Sequence, residues 1–398
     1  MTKNTEVVAN KQSARFQPKI AIIHEWLTNM GGSEQVVSVL LELFPDAPVY
    51  TSIFEPENLV PSLAEADVHP SFLQRLPKFL RKHQNLLPLM PYAFEQFDLS
   101  EYDLVLSSSS SCAKGVITGT KTIHVCYCYT PMRYAWDSYH LYMKSLKGLK
   151  RWLAIWLMHR IRLWDRLSAD RVDHFIAISH AVQDRIGKHY RRESRVVYPP
   201  VDIDRFTSTF VREEFYLVVS RLVGYKRLEL AIEACDRLGC NLVVIGDGEE
   251  QKRLKAIDSG KGETIKFMGR QSDQVVIDYL ARARAFLFPG EEDFGLTMVE
   301  ALASGCPVIA YGQGGALDIV EDGVTGVLFK EQTVEGMMAG ILRFEELRGK
   351  GQGNFEPSLL RNKSKKFSKE NFKKSLISAL TEFGVLSIPV SEGTSSDL

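Results

Sequence analysis

The segment FPGEEDFGLTMVEALASGCPVIA, residues 288–310, sets Glu292 and Glu300 eight positions apart around a Phe-Gly turn and the start of a helix-like run. Glu292 falls in the loop after an apolar strand-like run, Gly295 to Thr297 form the expected first helical turn, and Glu300 lies about one turn deeper. The unpaired amides of a first helical turn attract a phosphate. Carboxylates on either side would repel that phosphate unless they face hydroxyl groups, which an ionised carboxylate accepts in bidentate fashion from a vicinal diol. The arrangement suits a ligand with phosphates in the middle and hydroxyl-rich sugars at both ends, which describes a nucleotide-sugar. Taken alone, Glu300 also reads as an ordinary acid favouring the helix dipole.

Three more loops carry suitable side chains. In SRLVGYKRLEL (220–230), Arg221 leaves a strand and Lys226 follows five residues later at a helix entrance. An arginine fork and a lysine point charge converging there would neutralise a diphosphate. In HEWLTNMGGSEQ (24–35), Gly31 and Gly32 remove side chains where a helix starts, so amides can approach an anion. This is not the GxGxxG pattern, and no acidic residue ends the next strand to hold a dinucleotide ribose. The glycine-rich YGQGGALDIVEDG (311–323) comes too late in its domain for a nicotinamide fingerprint.

The elements that position these loops follow a regular rhythm. KIAIIH (19–24), PVYTSIF (48–54), DLVLSSS (103–109), TIHVCYC (122–128) and HFIAIS (174–179) read as strands. So do FYLVVS (215–220), NLVVIG (241–246), TIKFMG (264–269), AFLFPG (285–290), PVIAYG (307–312) and GVLF (326–329). Helical runs such as SEQVVSVLLELF and RLELAIEACDRL separate most of them, which implies right-handed βαβ units and parallel sheets. Two such series imply an α/β protein of two Rossmann-like doubly wound domains facing a central cleft. The expected division is 1–200 and 201–363, with the seam at VVYPPVDIDRF (196–206), where Pro199 and Pro200 can continue neither ladder nor helix. Residues 364–383 read as one basic amphipathic helix packing back across the domains, and VSEGTSSDL as a disordered tail.

Composition bounds the function. Over 398 residues, 49 Lys and Arg balance 49 Asp and Glu, so no global field favours nucleic acid. The first 18 residues are polar and lack the apolar core of a secretory signal, and no apolar run reaches the length of about 18 that spans a bilayer. Six cysteines form no CxxC pair and read as reduced thiols of a cytosolic protein.

The run SRLVGYKRLEL…FMGR…FPGEEDFGLTMVEALASGCPVIAYGQGGALDIVEDGVTGVLF resembles the nucleotide-sugar domain of retaining glycosyltransferases with the GT-B fold, family 4 (group 1). Glu292 and Glu300 match the E-x7-E motif of that family. The amino-terminal half is similar through GGSE and through CYTPMRYAWD (128–137), which resembles a segment of a bacterial polysaccharide-assembling subgroup. The resemblance implies that Arg221 and Lys226 hold the donor diphosphate, Glu300 the ribose diol and Glu292 the transferred sugar. It further implies that the amides of Phe294, Gly295, Leu296 and Thr297 contact sugar and phosphate. Met268, Gly269 and Arg270 would border the base, and Gly31 and Gly32 would meet the pyrophosphate from the opposite domain. Tyr129, Arg133, Tyr134 and Asp137 become acceptor-side candidates. Tyr129 stands where the family carries a histidine that contacts the sugar, and His124 reads as a core residue instead.

The activity so implied is metal-independent hexosyl transfer with retention, from UDP-glucose or alternatively GDP-mannose, to a glycan or lipid-linked glycan in polysaccharide biosynthesis. No permanently bound cofactor is expected, and Glu292, Arg221 and Lys226 are the groups assigned to the chemistry. The Asp202–Asp204 pair mimics a manganese motif but lacks acidic neighbours for a hard-cation shell. Two segments, 72–84 and 143–166, are locally basic and apolar; the second, with Trp152, Trp156 and Trp164, suits the interface of an anionic membrane, peripheral to its inner face, or else buries its Trp and Leu as core. Rival readings are a non-catalytic sugar-nucleotide binding protein and a phosphorylase using pyridoxal phosphate.

Overall fold

Most of the apolar runs become strands in the computed structural model, which describes residues 18–81, 86–144, 146–208, 212–257, 264–351 and 355–386. The first sheet contains β1 (Ile20–His24), β2 (Val49–Thr51), β3 (Val68–Pro70), β4 (Leu104–Ser109), β5 (Ile123–Cys128), β6 (His174–Ala177) and β7 (Ser194–Val196). Its order is β3-β2-β1-β4-β5-β6-β7, parallel throughout. The second sheet contains β8 (Tyr216–Val219), β9 (Leu242–Ile245), β10 (Ile265–Gly269), β11 (Ala285–Phe288), β12 (Val308–Tyr311) and β13 (Gly326–Phe329). Its order is β10-β9-β8-β11-β12-β13, also parallel. Parallel neighbours need crossovers that place helices on the sheet faces, so the central strands are buried on both sides and read as unbroken apolar runs. The α/β architecture of two doubly wound sheets is the expected one.

Sheet order fixes where loops converge. Chain direction across each sheet reverses between β1 and β4 in the first, and between β8 and β11 in the second. The loops leaving two such strands diverge to opposite faces and open a crevice at the carboxyl end of the sheet. In the second sheet those are the loops of Arg221 and Lys226 and of Glu292. In the first they are the Gly31–Gly32 loop and the serine run 107–111.

Packing joins the two halves through the seam. Tyr198 stacks near Phe294 with ring centroids 5.9 Å apart, and Phe367 meets both edge-on at 5.1 and 5.5 Å. The carboxyl-terminal run is not one continuous helix, as its periodicity suggested. A 3-10 turn (Lys365–Phe367) ends at Ser368, whose Oγ accepts from the Asn371 amide (3.2 Å) and caps a helix over Lys369–Glu382. That helix lies on the first sheet's side: Phe372 meets Tyr127 at 5.7 Å, Lys373 pairs with Glu42 at 2.6 Å, and Phe383 stacks on His174 at 4.2 Å. The chain thus returns to the domain where it began. The polar amino-terminal stretch and the expected tail lie outside the described residues.

One long helix, Gly148–Ser168, behaves differently at its two ends. Its second half buries Asp165, which takes Lys114 as an ion-pair partner and accepts from Trp136 Nε1 (2.7 Å) and Tyr190 OH (3.0 Å). A buried charge is stable only when paired and hydrogen-bonded in this way. The first half projects outward, and Leu149, Trp152, Leu153 and Trp156 share one exposed stripe.

Candidate functional site

The chain reverses direction sharply just before Lys226 and just before the helix Leu296–Ala303, and both turns have local causes. Gly224–Lys226 form a 3-10 turn, and Arg227 follows in the left-handed region (φ 55°) before the helix Leu228–Leu238 starts. A non-glycine residue held there is a local strain that the surroundings must impose. On the other loop, Gly295 has φ 102° and caps the helix instead of forming its first turn, as the spacing had suggested. Phe294 precedes the cap, and the helix itself starts at Leu296, so Leu296 and Thr297 carry amides of the first turn and Glu300 sits about one turn in.

The structure brings Lys226 and Glu292 into direct contact: the ammonium donates to the carboxylate Oε1. They border an open pocket, lined also by Ser220, Phe288, Pro289 and Gly290 at the carboxyl ends of β8 and β11. Burial, then the guanidinium groups of Arg221 and Arg133, push the Lys226 ammonium down to about 7. Arg221 itself is exposed and donates to Tyr225 OH (3.0 Å). Close backbone packing explains the glycines. A Cβ on Gly290 would stand 3.0 Å from the Lys226 carbonyl oxygen, one on Gly314 2.3 Å from that of Glu292, and one on Gly315 2.1 Å from that of Phe294. The glycine-rich turn at 311–323 is therefore a backing plate for the Glu292 loop.

Glu300 is not among the residues that line this pocket. Arg205 Nη2 reaches its Oε1 at 3.2 Å, and Arg205 Nη1 reaches Asp273 at 3.0 Å. Burial pushes the Glu300 carboxyl up to about 7 against the pull of that guanidinium, and Asp273 adds to the upward shift. Met268 packs against the core, Gly269 ends β10 in the left-handed region (φ 68°), and Arg270 is exposed. Asp202 and Asp204 sit at the seam beside Lys369 (3.1 Å) and Arg361 (3.8 Å).

The first domain presents its own loops to the same cleft. A Cβ on Gly32 would lie 2.5 Å from Leu296 Cδ1, so the Gly31–Gly32 turn touches the start of the Glu300 helix. Glu25, buried beside it, collects the amides of Ser110 (3.0 Å), Ser111 (2.6 Å), Cys112 (3.0 Å) and Ala113 (3.2 Å) together with Ser109 Oγ (2.8 Å). A carboxylate with several backbone donors fixes the serine loop. Tyr129 is tied into this frame: its hydroxyl donates to the Ser33 carbonyl (3.1 Å) and shares a hydrogen bond with Ser108 Oγ (2.8 Å), which in turn meets His24 Nδ1 (3.0 Å). His24 and Glu34 lie 3.5 Å apart, and although burial works against it, His24 holds the Glu34 carboxyl below its ordinary value. His124 is a core residue as expected, fully buried on Ser107 Oγ (2.8 Å) and pushed down to about 4 by burial.

The remaining acceptor-side candidates meet partners within the protein. Tyr134 OH bonds Ser111 Oγ (2.5 Å), Arg133 Nη1 lies 3.6 Å from Asp293, and Asp137 faces His189 (2.9 Å) and Arg185 (3.3 Å). Sequence reasoning missed Arg185, Arg205 and Asp293. Arg205 sits inside the seam segment already singled out, and Asp293 is Glu292's neighbour, but nothing local marks either as a partner.

Comparison with known proteins follows the two halves. The family described as Glycosyltransferase Family 4 matches residues 30–205, and Glycosyl transferases group 1 matches residues 201–370. An uncharacterised glycosyltransferase of Methanocaldococcus jannaschii is 26% identical over 192 residues, 47% of this chain and 54% of that protein. The glycogen synthase of Thermus thermophilus is 33% identical over 151 residues, 36% of this chain and 35% of that enzyme. The matched segments thus span about a third to a half of these relatives. Among solved structures, Anabaena HepE in complex with UDP-glucose superposes with a TM-score of 0.66 at 17% identity, covering 92% of this chain and 100% of that one. The lipopolysaccharide outer core galactosyltransferase WaaB gives 0.64 at 19%, covering 91% and 99%.

Proposed function

Because the chain belongs to the group 1 glycosyltransferases of family 4 and has the GT-B fold, we propose that it transfers a hexose from a nucleotide diphosphate sugar to a glycan or lipid-linked glycan, retaining the anomeric configuration. One observation carries this reading: the Lys226 ammonium rests on the Glu292 carboxylate beside a cavity at the switch point of the second sheet. A donor diphosphate takes Lys226 and Arg221 as counter-ions, and its sugar hydroxyls take the carboxylate that Lys226 releases. The amides of Leu296 and Thr297 add the helix's positive end, and Glu300, turning from Arg205, receives the ribose diol.

The chemistry then asks chiefly for stabilisation of the leaving group. The bond from the anomeric carbon to the diphosphate oxygen breaks, and its electron pair leaves on that oxygen. The acceptor hydroxyl oxygen forms the new bond on the same face, and its proton passes to the departing diphosphate. Glu292 orients the sugar in this scheme and forms no bond to it, and neither carboxylate needs a metal ion. UDP-glucose is the favoured donor, in keeping with HepE, which was solved with it, and GDP-mannose is the second choice.

The acceptor side has a lipid face. Trp152 and Trp156 are 66% and 50% exposed on the stripe that also carries Leu149 and Leu153, and Lys147, Lys150 and Arg151 flank it. This supports contact with an anionic bilayer, where aromatic rings sit at headgroup level beside cations. Trp164, by contrast, turns inward and donates to Glu95 (2.8 Å). No helix among the described residues is long and apolar enough to cross a membrane.

The test is a thermal-shift series over nucleoside diphosphates and their sugars, which ranks donors by occupancy without knowledge of the acceptor. Stabilisation by UDP and most by UDP-glucose is expected. A chain that no nucleotide stabilises is not a transferase of this kind, and one that binds donor yet never hydrolyses or transfers it is a binding protein.

A further inference from the structure

We propose that Arg185 is a positioning residue that locks the Glu292 loop to the first domain, so that the sugar-orienting carboxylate is set only when the two domains are closed. The proposal rests on the donor role given to Glu292 above. Three consecutive acids follow Gly290, and their side chains part company. Glu292 turns to Lys226 in its own domain, whereas Glu291 and Asp293 turn to the opposite domain. There Arg185 meets both: Nη1 donates to Asp293 and Nη2 lies 3.2 Å from Glu291. Its Nε lies 3.3 Å from Asp137, within the TPMRYAWD segment. One guanidinium therefore bridges the donor loop and the acceptor-side segment.

The grip is built into the fold. Arg185 ends the short helix His180–Arg185, and its side chain is 14% exposed. The residue capping that helix, Ser179, donates to the Asp293 carbonyl (2.5 Å), while Arg133 stands 3.6 Å from the Asp293 carboxylate. The first residue of the helix, His180, pairs with Asp318 beside the backing glycines, and Tyr198 OH donates to the same carboxylate at 3.0 Å. The helix is thus docked on the second domain at both ends. The front of the Glu292 loop is closed by Lys226 and its back by Gly314 and Gly315, so the remaining freedom of the loop is movement toward the cleft. Arg185 and Ser179 remove that freedom, and opening the cleft would restore it. Arg185 and Asp293 are the more buried members of this group of charges, so removing either leaves the other poorly compensated, which makes the lock sensitive to a single substitution.

The experiment compares the full chain with Arg185→Gln, Arg185→Lys and Asp293→Asn by amide hydrogen exchange, without donor, and by kinetics. Arg185→Gln should speed exchange over residues 290–294 by about tenfold while leaving the sheets protected, and Arg185→Lys should recover part of it. In transfer or donor hydrolysis, kcat should fall by about tenfold with donor KM changed less than about threefold, a split that loss of mere interdomain glue would not produce. Asp293→Asn cuts the same pair from the other domain and decides the matter should Arg185→Gln not fold. Unchanged exchange at 290–294 in a folded variant overturns the proposal. Failure of the wild-type chain to bind any nucleotide-sugar would overturn the donor reading instead, and the exchange comparison would still show whether the lock exists.

Discussion

Lys226 and Glu300 are both held where burial opposes their charge, and their ionisation meets near neutrality. The Glu300 carboxyl is raised from an ordinary 4.5 to about 7, so across that window the folded chain holds more protons than the unfolded one and stability falls as pH rises. Lys226 is lowered from 10.5 to about 7, so from there upward the folded chain holds fewer protons and stability recovers with pH. In the donor roles proposed for these two residues, a bound nucleotide-sugar would reverse both costs, since diphosphate favours the ammonium and a ribose diol favours the carboxylate. Nucleotide affinity should therefore peak near pH 7, falling below it as Glu300 protonates beside Arg205 and Asp273, and above it as Lys226 deprotonates among Glu292, Arg221 and Arg133. Calorimetric titration of UDP from about pH 5 to about pH 9 should show the alkaline fall vanish in Lys226→Arg and the acidic fall vanish in Glu300→Gln. The same profile in all three proteins would remove both groups from the binding step. The types and spacing of these two residues were legible from the sequence. Their partners within the chain were not, since Arg205 reaches Glu300 across 95 positions and only folding reveals the pairing.

At the scale of elements, the readable features were those with a long enough period. The buried central strands announce themselves as apolar runs, whereas β3 and β7, three residues each at opposite edges of the first sheet, do not. Val68–Pro70 is largely exposed and Ser194–Val196 only half-buried, so neither carries the burial signal. Helix starts were blurred for a related reason: glycine at 295 and serine at 368 act as caps, and a cap looks much like a first turn on periodicity alone. The glycine turn behind the Glu292 loop shows a constraint that no pattern records, because its partner is backbone. Gly315→Ala places a methyl against the Phe294 carbonyl and should cost about 1–3 kcal/mol of stability. Urea unfolding checks this, and donor KM should rise with it as the loop is pushed forward. A variant as stable as wild type would mean the turn yields more easily than its packing suggests.

Across the whole molecule, two sheets of seven and six strands meet along one crevice, and the apolar stripe of Gly148–Ser168 lies on a surface built from the first domain alone. If that surface meets lipid, Trp152→Ala with Trp156→Ala should reduce co-sedimentation with anionic vesicles by about tenfold, and replacing Lys147, Lys150 and Arg151 by Glu should do so in a salt-dependent way. Donor-induced thermal shifts should be untouched by either set. Equal sedimentation of all forms, with or without anionic lipid, would leave the stripe without a membrane role. The direction of those tryptophans was the part the sequence left open, because a stripe at helical spacing looks the same whether it faces a core or a bilayer.

The parting of Glu291, Glu292 and Asp293 bears on how this loop can change length over time. The stretch is irregular loop between the strand ending at Phe288 and the helix starting at Leu296, so no strand period carries its side chains back to the same side after a change in length. A residue added or removed here would shift at least one acid away from its cation, Glu292 from Lys226 or Glu291 and Asp293 from Arg185. Homologues that retain both contacts should therefore keep this loop at one length, which makes it a gauge of fixed size set between the two domains.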